Sequence, residues 1–250
     1  MKIQFCSDLH QEMGANEKWL EAHPIIPVAD YLVVAGDTHH LLDGLRNIPL
    51  LSRLAEQFKQ VFILPGNHEY YARHDAGTSI RPTLFPLRPN VFLVNNVSIQ
   101  LEDVTLIFSI LWSRIRHHES EISRGLYDFY VVRARGSRMT VRAWNHFHDR
   151  CCKFIETEAR KPGKKVVVTH HAPSPLCIAR EFIGSPLNDA FHADMGPLIG
   201  TSDIDCWIYG HSHRNIGDVV INGTTLASNQ LGYVALNEHR LFRRDRYVEV

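Results

Sequence analysis

The sequence predicts an α/β fold that contains a mixed pair of β-sheets. Short runs rich in Val, Ile, Phe and Tyr have the length of buried strands, and they recur at residues 3–6, 31–35, 61–64, 91–94, 104–108, 166–169 and 206–209. In the first half, strands and helices alternate as in a βαβ unit, whereas the later strand-like segments follow one another closely. Parallel and antiparallel strand pairs are therefore both expected.

Apolar side chains at helical spacing predict two helices. They recur every three or four positions in residues 51–58, between the second and third predicted strands, and in residues 141–155. We expect both helices to pack on a sheet.

The remaining segments are predicted to be C-terminal strands and long loops. Residues 218–221, 224–227, 233–236 and 246–250 are strand-like, and Asn222-Gly223 is typical of a hairpin turn between the first two. Residues 72–90 contain several prolines, and residues 113–138 are rich in Arg without a clear period. Both of these segments are predicted to be long loops or lids.

Length and composition limit the class of protein. A chain of 250 residues suits one large α/β domain, and we predict a single domain over residues 1–250. Lys+Arg and Asp+Glu are both 27, so no global positive field draws the protein to nucleic acid or to an anionic membrane. The 5 cysteines contain no Cys-x-x-Cys pair, which favours a reducing cytoplasm over a disulfide framework or a Cys-type zinc site. The first residues have the pattern of neither a signal peptide nor a membrane span.

Polar motifs follow the predicted strands at the point where each strand ends. They are Asp8 with His10, Gly36-Asp37, Gly66-Asn67-His68-Glu69, Thr169-His170-His171 and Gly210-His211-Ser212-His213. In open α/β sheets, ligands bind at the carboxyl ends of the strands. Asp8 and His10 are two positions apart, so an extended backbone would point both side chains toward one ion.

Each motif alone is a weak signal, because an Asp-x-His usually marks a turn and a Gly-Asn-His is usually a turn with a capping Asn. All of them in this order favour a metal site. Carboxylate, amide and imidazole ligands without a thiolate suit divalent Mn, Fe, Co, Ni or Zn, and the sequence leaves the choice among these metals open.

The five blocks, spread over residues 8–213, resemble the pattern of the calcineurin-like metallophosphoesterase superfamily. Three further segments resemble an uncharacterised bacterial branch of this superfamily. They are Leu111-Trp112-Ser113, residues 169–174 with the sequence Thr-His-His-Ala-Pro-Ser, and residues 229–233. The resemblance implies a four-layer αββα sandwich with two mixed central β-sheets flanked by helices, and a site at the edge that the two sheets share.

The resemblance also implies two divalent metal ions and their ligands. Asp8, His10, Asp37 and His213 would hold one ion, and Asp37, Asn67, His170 and His211 would hold the other. The shared position of Asp37 agrees with the chemistry, because two cations roughly 3.5–4 Å apart need an anion between them.

The function that the resemblance implies is a dinuclear metal-dependent phosphoesterase. It would hydrolyse phosphate monoesters or diesters, small nucleotides included, with a hydroxide that the ions activate. His68 is the candidate general acid or transition-state stabiliser, and Glu69 is expected to orient a neighbour. Arg114 in the central loop is interpreted as a phosphate clamp.

Two alternative functions are a catalytically silent scaffold with the same fold and a nuclease. The intact motifs weigh against the scaffold, and the neutral net charge weighs against the nuclease. The sequence does not distinguish monoester from diester substrates, nor does it indicate an oligomeric state.

The other histidines have ordinary structural interpretations. His39, His40, His117 and His118 are expected in solvated loops. His148 lies on the apolar stripe of a predicted helix, so we expect a hydrogen-bonded core histidine. Alternation along the strand places His171 on the side opposite to His170.

Overall fold

The fold is taken from a computed structural model that describes residues 1–41 and 43–250. The strands are β1 (Lys2–Cys6), β2 (Tyr31–Ala35), β3 (Gln60–Leu64), β4 (Thr83–Arg88), β5 (Val91–Asn95), β6 (Val97–Leu101), β7 (Val104–Phe108), β8 (Arg133–Ala134), β9 (Ser137–Arg138), β10 (Lys164–Val168), β11 (Cys206–Tyr209), β12 (Val219–Ile221), β13 (Thr224–Ser228) and β14 (Tyr247–Glu249). The α-helices are α1 (Gly14–Ala22), α2 (Asp43–Asn47), α3 (Pro49–Gln57), α4 (Glu119–Gly125), α5 (Asp128–Val131), α6 (Val141–Ala159) and α7 (Gly196–Ile199).

Two six-stranded mixed sheets form the centre of the molecule. The first has the order β14-β1-β2-β3-β5-β4 and the second the order β12-β13-β11-β10-β7-β6. In each sheet four parallel strands lie in the middle and an antiparallel strand closes either edge. The parallel strands bring the loops after β1, β2 and β3 to one edge of the first sheet, and those after β10 and β11 to one edge of the second.

Alternating side chains of each strand enter different layers, as strand geometry requires. In β2, Tyr31 and Val33 face the core between the two sheets, where they join Phe108 and Ile208 of the second sheet. The intervening Leu32 and Val34 belong to the cluster that packs against α1 and α3. Since both faces of these strands are covered, their sequences read as continuous apolar runs.

Helices cover both outer faces. Leu20 of α1 and Leu54 of α3 pack on the first sheet. Ile155 of α6 and Ile199 of α7 pack with Trp207 on the second. The predicted four-layer αββα sandwich is therefore confirmed.

The two predicted loops contain regular structure, so that part of the prediction was wrong. Residues 72–90 include the edge strand β4, whose pairing with β5 shifts register between Pro86 and Arg88, and an edge strand tolerates proline because its outer N–H groups need no partner strand. Residues 113–138 include α4, α5 and the β8–β9 pair, and Ile122 and Phe129 anchor them in a buried cluster with Trp144.

The C-terminal predictions were partly right. Asn222 and Gly223 have φ of 47° and 86° and connect the antiparallel strands β12 and β13 as a hairpin turn. The predicted strand at 233–236 is instead a single 3₁₀ turn, Val234–Leu236, which ends at Asn237 with a left-handed φ of 60°. A single domain over residues 1–250 stays a prediction. In the described chain no helix is both long enough and apolar enough to cross a membrane.

Candidate metal centre

The candidate ligands converge where the strand-end loops of both sheets meet. One group consists of Asp8, His10, Asp37 and His213, and a second of Asp37, His170 and His211, with the ligand atoms of each group within 4.8 Å of one another. The Asn67 Oδ1 lies 3.0 Å from the His170 Nε2, which adds Asn67 to the second group. The fold thus brings together all seven predicted ligands, and Asp37 belongs to both groups.

The backbone at five of these seven positions is left-handed rather than extended. Asp8 and His10 have φ of 56° and 45°, and Asp37, His211 and His213 have φ of 54°, 76° and 51°. Each such residue costs on the order of 1–3 kcal/mol, and surrounding contacts must hold it. The amide of Asp8 donates to the Gly36 carbonyl and that of His10 to the Asp37 carbonyl, both at 2.9 Å. The expectation that Asp8 and His10 share one side of an extended strand was wrong, because β1 ends at Cys6.

The glycines of the motifs leave room for the ligands. A Cβ at Gly66 would lie 2.1 Å from the Asp37 Oδ1, and one at Gly36 would lie 2.2 Å from the His170 Nδ1. A Cβ at Gly210 would lie 2.6 Å from the Asp8 Oδ2. These contacts are too short for any side chain, so only glycine permits this close approach.

Three histidines have their ring orientation set by an acceptor on Nδ1. His10 donates to Glu12 at 3.0 Å, His213 donates to Glu238 at 2.8 Å, and His170 donates to a backbone carbonyl at 3.0 Å. When these rings are neutral, the proton lies on Nδ1 and the Nε2 lone pair is directed into the cluster, where it can bind a cation.

These lone pairs fit a cation. The Nε2 atoms of His10 and His213 are 3.0 Å apart, and the His170 Nε2 is 3.2 Å from the His211 Nδ1. Two imidazole lone pairs at such distances repel each other unless a proton or a metal ion lies between them. The carboxylates of Asp8 and Asp37, 3.4 Å from His213 and His170 respectively, supply the negative charge that a divalent ion requires.

Asp128 of α5 orients Asn67, and the sequence analysis missed it. The Asn67 Nδ2 donates to one Asp128 oxygen at 2.9 Å, and the Tyr71 hydroxyl donates to the other at 3.2 Å. The amide oxygen of Asn67 is thereby turned toward His170. Asp128 lies in the segment predicted as a loop, and no motif there distinguishes it.

Glu69 connects two strand-end loops, in agreement with its expected orienting role. Its buried carboxylate accepts the backbone N–H groups of Asp37, Thr38 and Gly66 at 3.0, 2.7 and 2.6 Å. Burial and the nearby Asp37 raise the pKa of Glu69 to about 8, although these backbone donors oppose that shift.

His68 lies beside the two ligand groups rather than within either. Its Nδ1 donates to the same Glu12 oxygen that holds His10, at 2.9 Å, and its Nε2 is 3.2 Å from the Tyr233 hydroxyl. Its ring stacks on Tyr71 with the centroids 4.1 Å apart. Burial alone would lower the pKa of His68, but the Asp37 and Glu12 carboxylates raise it above its usual value. The sequence analysis missed Glu12, although Asp-x-His-x-Glu places it two positions after His10.

Most other histidines have the ordinary roles expected of them. His148 is buried, with its Nδ1 2.8 Å from the Trp112 carbonyl oxygen. His117 and His118 are exposed, whereas His39 and His40 are half-buried. The ring of His171 packs against those of Trp144 and His211, outside both ligand groups.

The interpretation of Arg114 as a phosphate clamp was wrong. Its guanidinium pairs with Asp149 of α6, and Arg114 does not line the cavity over the ligand groups. That cavity has a volume of about 280 Å³, and its walls include Asp37, His68 and His211.

The comparisons with known proteins agree with the fold and show the family of the chain. The chain belongs to the calcineurin-like phosphoesterase family, whose sequence model matches residues 1–215. The family is one of dimetal-dependent phosphate ester hydrolases that includes some inactive members.

Two similar proteins extend over most of the chain. An uncharacterized protein of Acanthamoeba polyphaga mimivirus is 28% identical over 240 residues, which are 88% of this chain and 84% of that protein. The crystal structure of phosphopantetheinyl hydrolase from Mycobacterium tuberculosis is similar with a TM-score of 0.70 and 16% identity, over 99% of this chain and 95% of that one. At this identity the second similarity shows the fold alone.

Replacing Asp37 by Asn tests its position between the two groups. The change removes the negative charge that both groups share, so we predict that Asp37→Asn lowers the bound metal from about two ions per chain toward none. Elemental analysis after gel filtration measures this, with the exposed Asp103→Asn as the matched control. An unchanged metal content in Asp37→Asn would contradict the shared position.

Metal affinity is predicted to rise with pH. Burial alone would lower the pKa of His170 and of His213. In the metal-free site, however, neighbouring carboxylates raise the pKa of His170 to about 9 and that of His213 to about 10. At pH 7 both rings therefore hold a proton that must leave before the nitrogen can bind a metal, so binding should release about two protons. Calorimetric titration in buffers of different ionisation enthalpy measures that number. A heat independent of the buffer would contradict the prediction.

Proposed function

We propose that this chain is a dinuclear metal-dependent phosphoesterase that acts on small phosphate esters, nucleotides included. The observation that carries the proposal is the Asp37 carboxylate, whose two oxygens lie 3.4 Å from the His170 Nε2 and 3.8 Å from the His10 Nε2, one in each ligand group. A buried carboxylate with imidazole lone pairs on both sides is suited to two cations. The free cysteines favour a reducing compartment, and we propose the cytoplasm.

The two ligand groups would each hold one ion, as the sequence resemblance implies. Both ions would be divalent, and each would be Mn, Fe, Co, Ni or Zn. They would supply Lewis acidity for the phosphoryl group and lower the pKa of a water molecule in the site. Glu12, Glu238 and Asp128 would keep His10, His213 and Asn67 in the orientation for ligation.

His68 is suited to donate a proton to the leaving oxygen. Glu12 holds its Nδ1, so its Nε2 is directed to the cavity beside Tyr233. The two carboxylates that raise the pKa of His68 favour the protonated ring that a general acid needs. The Tyr233 hydroxyl, 3.2 Å away, can accept from this protonated nitrogen or donate to it after transfer.

A panel of metals and substrates tests the proposed function. Metal-free protein is reloaded with Mn²⁺, Co²⁺, Ni²⁺ or Zn²⁺ and assayed with paired aryl monoesters and diesters, then with linear and cyclic nucleotides. We expect metal-dependent release of the alcohol, which Asp37→Asn abolishes and Asp103→Asn does not. If no metal supports turnover of any ester, the phosphoesterase proposal is wrong and the protein is one of the inactive members.

The proton donor is tested by the leaving group. We predict that His68→Ala lowers kcat/KM by about 10²–10⁴-fold for alkyl esters, whose leaving oxygen needs a proton, and much less for 4-nitrophenyl esters. The exposed His23→Ala is the matched control. Equal losses for good and poor leaving groups would rule out the general-acid role, and a metal content equal to the unmodified protein would show that the site is intact.

A further inference from the structure

Three neighbouring cavities lie across the candidate centre and share lining residues, and together they are here called the groove. The central cavity of about 280 Å³ shares His68, Tyr71, Tyr127 and Tyr233 with a cavity of about 450 Å³ on one side. It shares His213, Arg214 and Glu238 with a cavity of about 640 Å³ on the other. The cavity over the ligand groups is thus the middle one of the three, with a further cavity on either side of it.

The cavity beyond His68, here called the leaving-group side, is apolar and aromatic. Its walls add Met13, Ala72 and Val131 to the shared tyrosines, and its polar members besides His68 are Glu12, which holds His68, and His40. Met13 is 40% exposed and Tyr127 is 64% exposed, so both can cover an apolar or aromatic group that enters there. Because His68 lines both this cavity and the central one, an alcohol that leaves in this direction passes the proton donor.

The cavity beyond His213, here called the arginine side, carries unpaired positive charge. Arg180 and Arg240 line it, both are exposed, and neither forms an ion pair with any residue of the described chain. The two carboxylates that also line it, Glu181 and Glu238, both pair with Arg214. Leu236 and Leu241, each 67% exposed, lie on the same wall. An anionic group on an organic arm would find two guanidinium donors there beside an apolar surface.

The central cavity, by contrast, offers no free cationic side chain among the described residues. Its one arginine, Arg214, donates to Glu181 at 2.6 Å and to Glu238 at 3.1 Å, so two carboxylates already offset its charge. Asp128 also lines this cavity. The charge of a bound phosphoryl group would be met there by the two metal ions of the proposed function rather than by an arginine, so the side chains that can distinguish one substrate from another lie in the two flanking cavities. A diester has a second arm that can occupy the second of these cavities, whereas a monoester has only one arm.

We propose that the substrates are phosphodiesters whose apolar or aromatic leaving arm occupies the leaving-group side and whose other arm, which carries an anionic group, lies on the arginine side. This inference rests on the proposed function. In the reaction, water adds to phosphorus, the phosphorus–oxygen bond to the leaving arm breaks, and that oxygen receives a proton. A monoester would leave the largest of the three cavities, with its two unpaired arginines, unused.

The test varies the second arm while the leaving group stays 4-nitrophenol. The substrates are 4-nitrophenyl phosphate, the 4-nitrophenyl ester of thymidine 5′-phosphate, its analogue with an added 3′-phosphate, and 4-nitrophenyl phosphorylcholine. We expect kcat/KM to be about 10-fold higher for the thymidine diester than for the monoester. The 3′-phosphate should raise it about 10-fold further, and the cationic choline arm should lower it.

Arginine variants test whether the arginine side causes the preference for an anionic arm over a cationic one. In the Arg180→Ala/Arg240→Ala double variant, the preference for the 3′-phosphorylated arm over the choline arm should fall toward unity. Arg160→Ala, an exposed arginine at the end of α6 that lines none of the three cavities, should retain the preference. Calorimetric titration with thymidine 3′,5′-bisphosphate and thymidine 5′-phosphate measures the same preference in binding, without turnover.

Each outcome separates the inference from the proposed function. The inference is wrong if 4-nitrophenyl phosphate is hydrolysed faster than the diesters, or if the double variant retains the preference for the anionic arm. Either result leaves the proposed phosphoesterase function unaffected. No turnover of any ester by protein with about two bound metal ions overturns both. A preference for the anionic arm that both binding and turnover lose in the double variant supports the inference.

Discussion

The rest of the site depends on the Asp37 carboxylate. It accepts the His68 backbone N–H at 2.9 Å, lies between the two ligand groups, and its own amide is held by Glu69 at 3.0 Å. Burial would raise the pKa of Asp37, but His170 and His68 hold it well below its usual value, so the group stays ionised. One fixed negative charge therefore sets the position of the second strand-end loop, of the proposed proton donor and of both candidate metal positions.

A layer of carboxylates behind the ligands keeps this arrangement in place. Glu12 holds the rings of His10 and His68, Glu238 holds His213, and Asp128 holds Asn67. Five of the seven candidate ligands have a left-handed backbone, which is costly for residues other than glycine, so contacts with the surrounding residues must stabilise it. Acidic residues are thus both candidate metal ligands and the groups that orient the other candidate ligands.

The two ends of the groove differ in charge and polarity, which is the basis of the proposed choice of substrate. The central part has its arginine neutralised, while Arg180 and Arg240 leave positive charge at one end and Met13 and Val131 leave apolar surface at the other. In the proposed substrate class, the two arms of the ester would occupy these two ends, and the phosphorus would lie in the central cavity between them. The segments that shape the ends, around α5 and the turn at Val234–Leu236, lie outside the two central sheets.

The sequence by itself determined the buried strands and the polar motifs at their ends, whereas the four layers and the ligand set followed from the resemblance of those motifs to a known family. It could do so because buried strands need apolar runs, and because few residue types bind metals at strand ends. Only the tertiary structure decided the left-handed course of Asp8 and His10, the partnership of Asn67 with Asp128 and the groove with its unpaired arginines. Asn67 and Asp128 are 61 positions apart, and no local pattern encodes such a contact. The strand-end motifs are local and can be read from the chain, whereas the partners that orient them depend on how distant loops pack together.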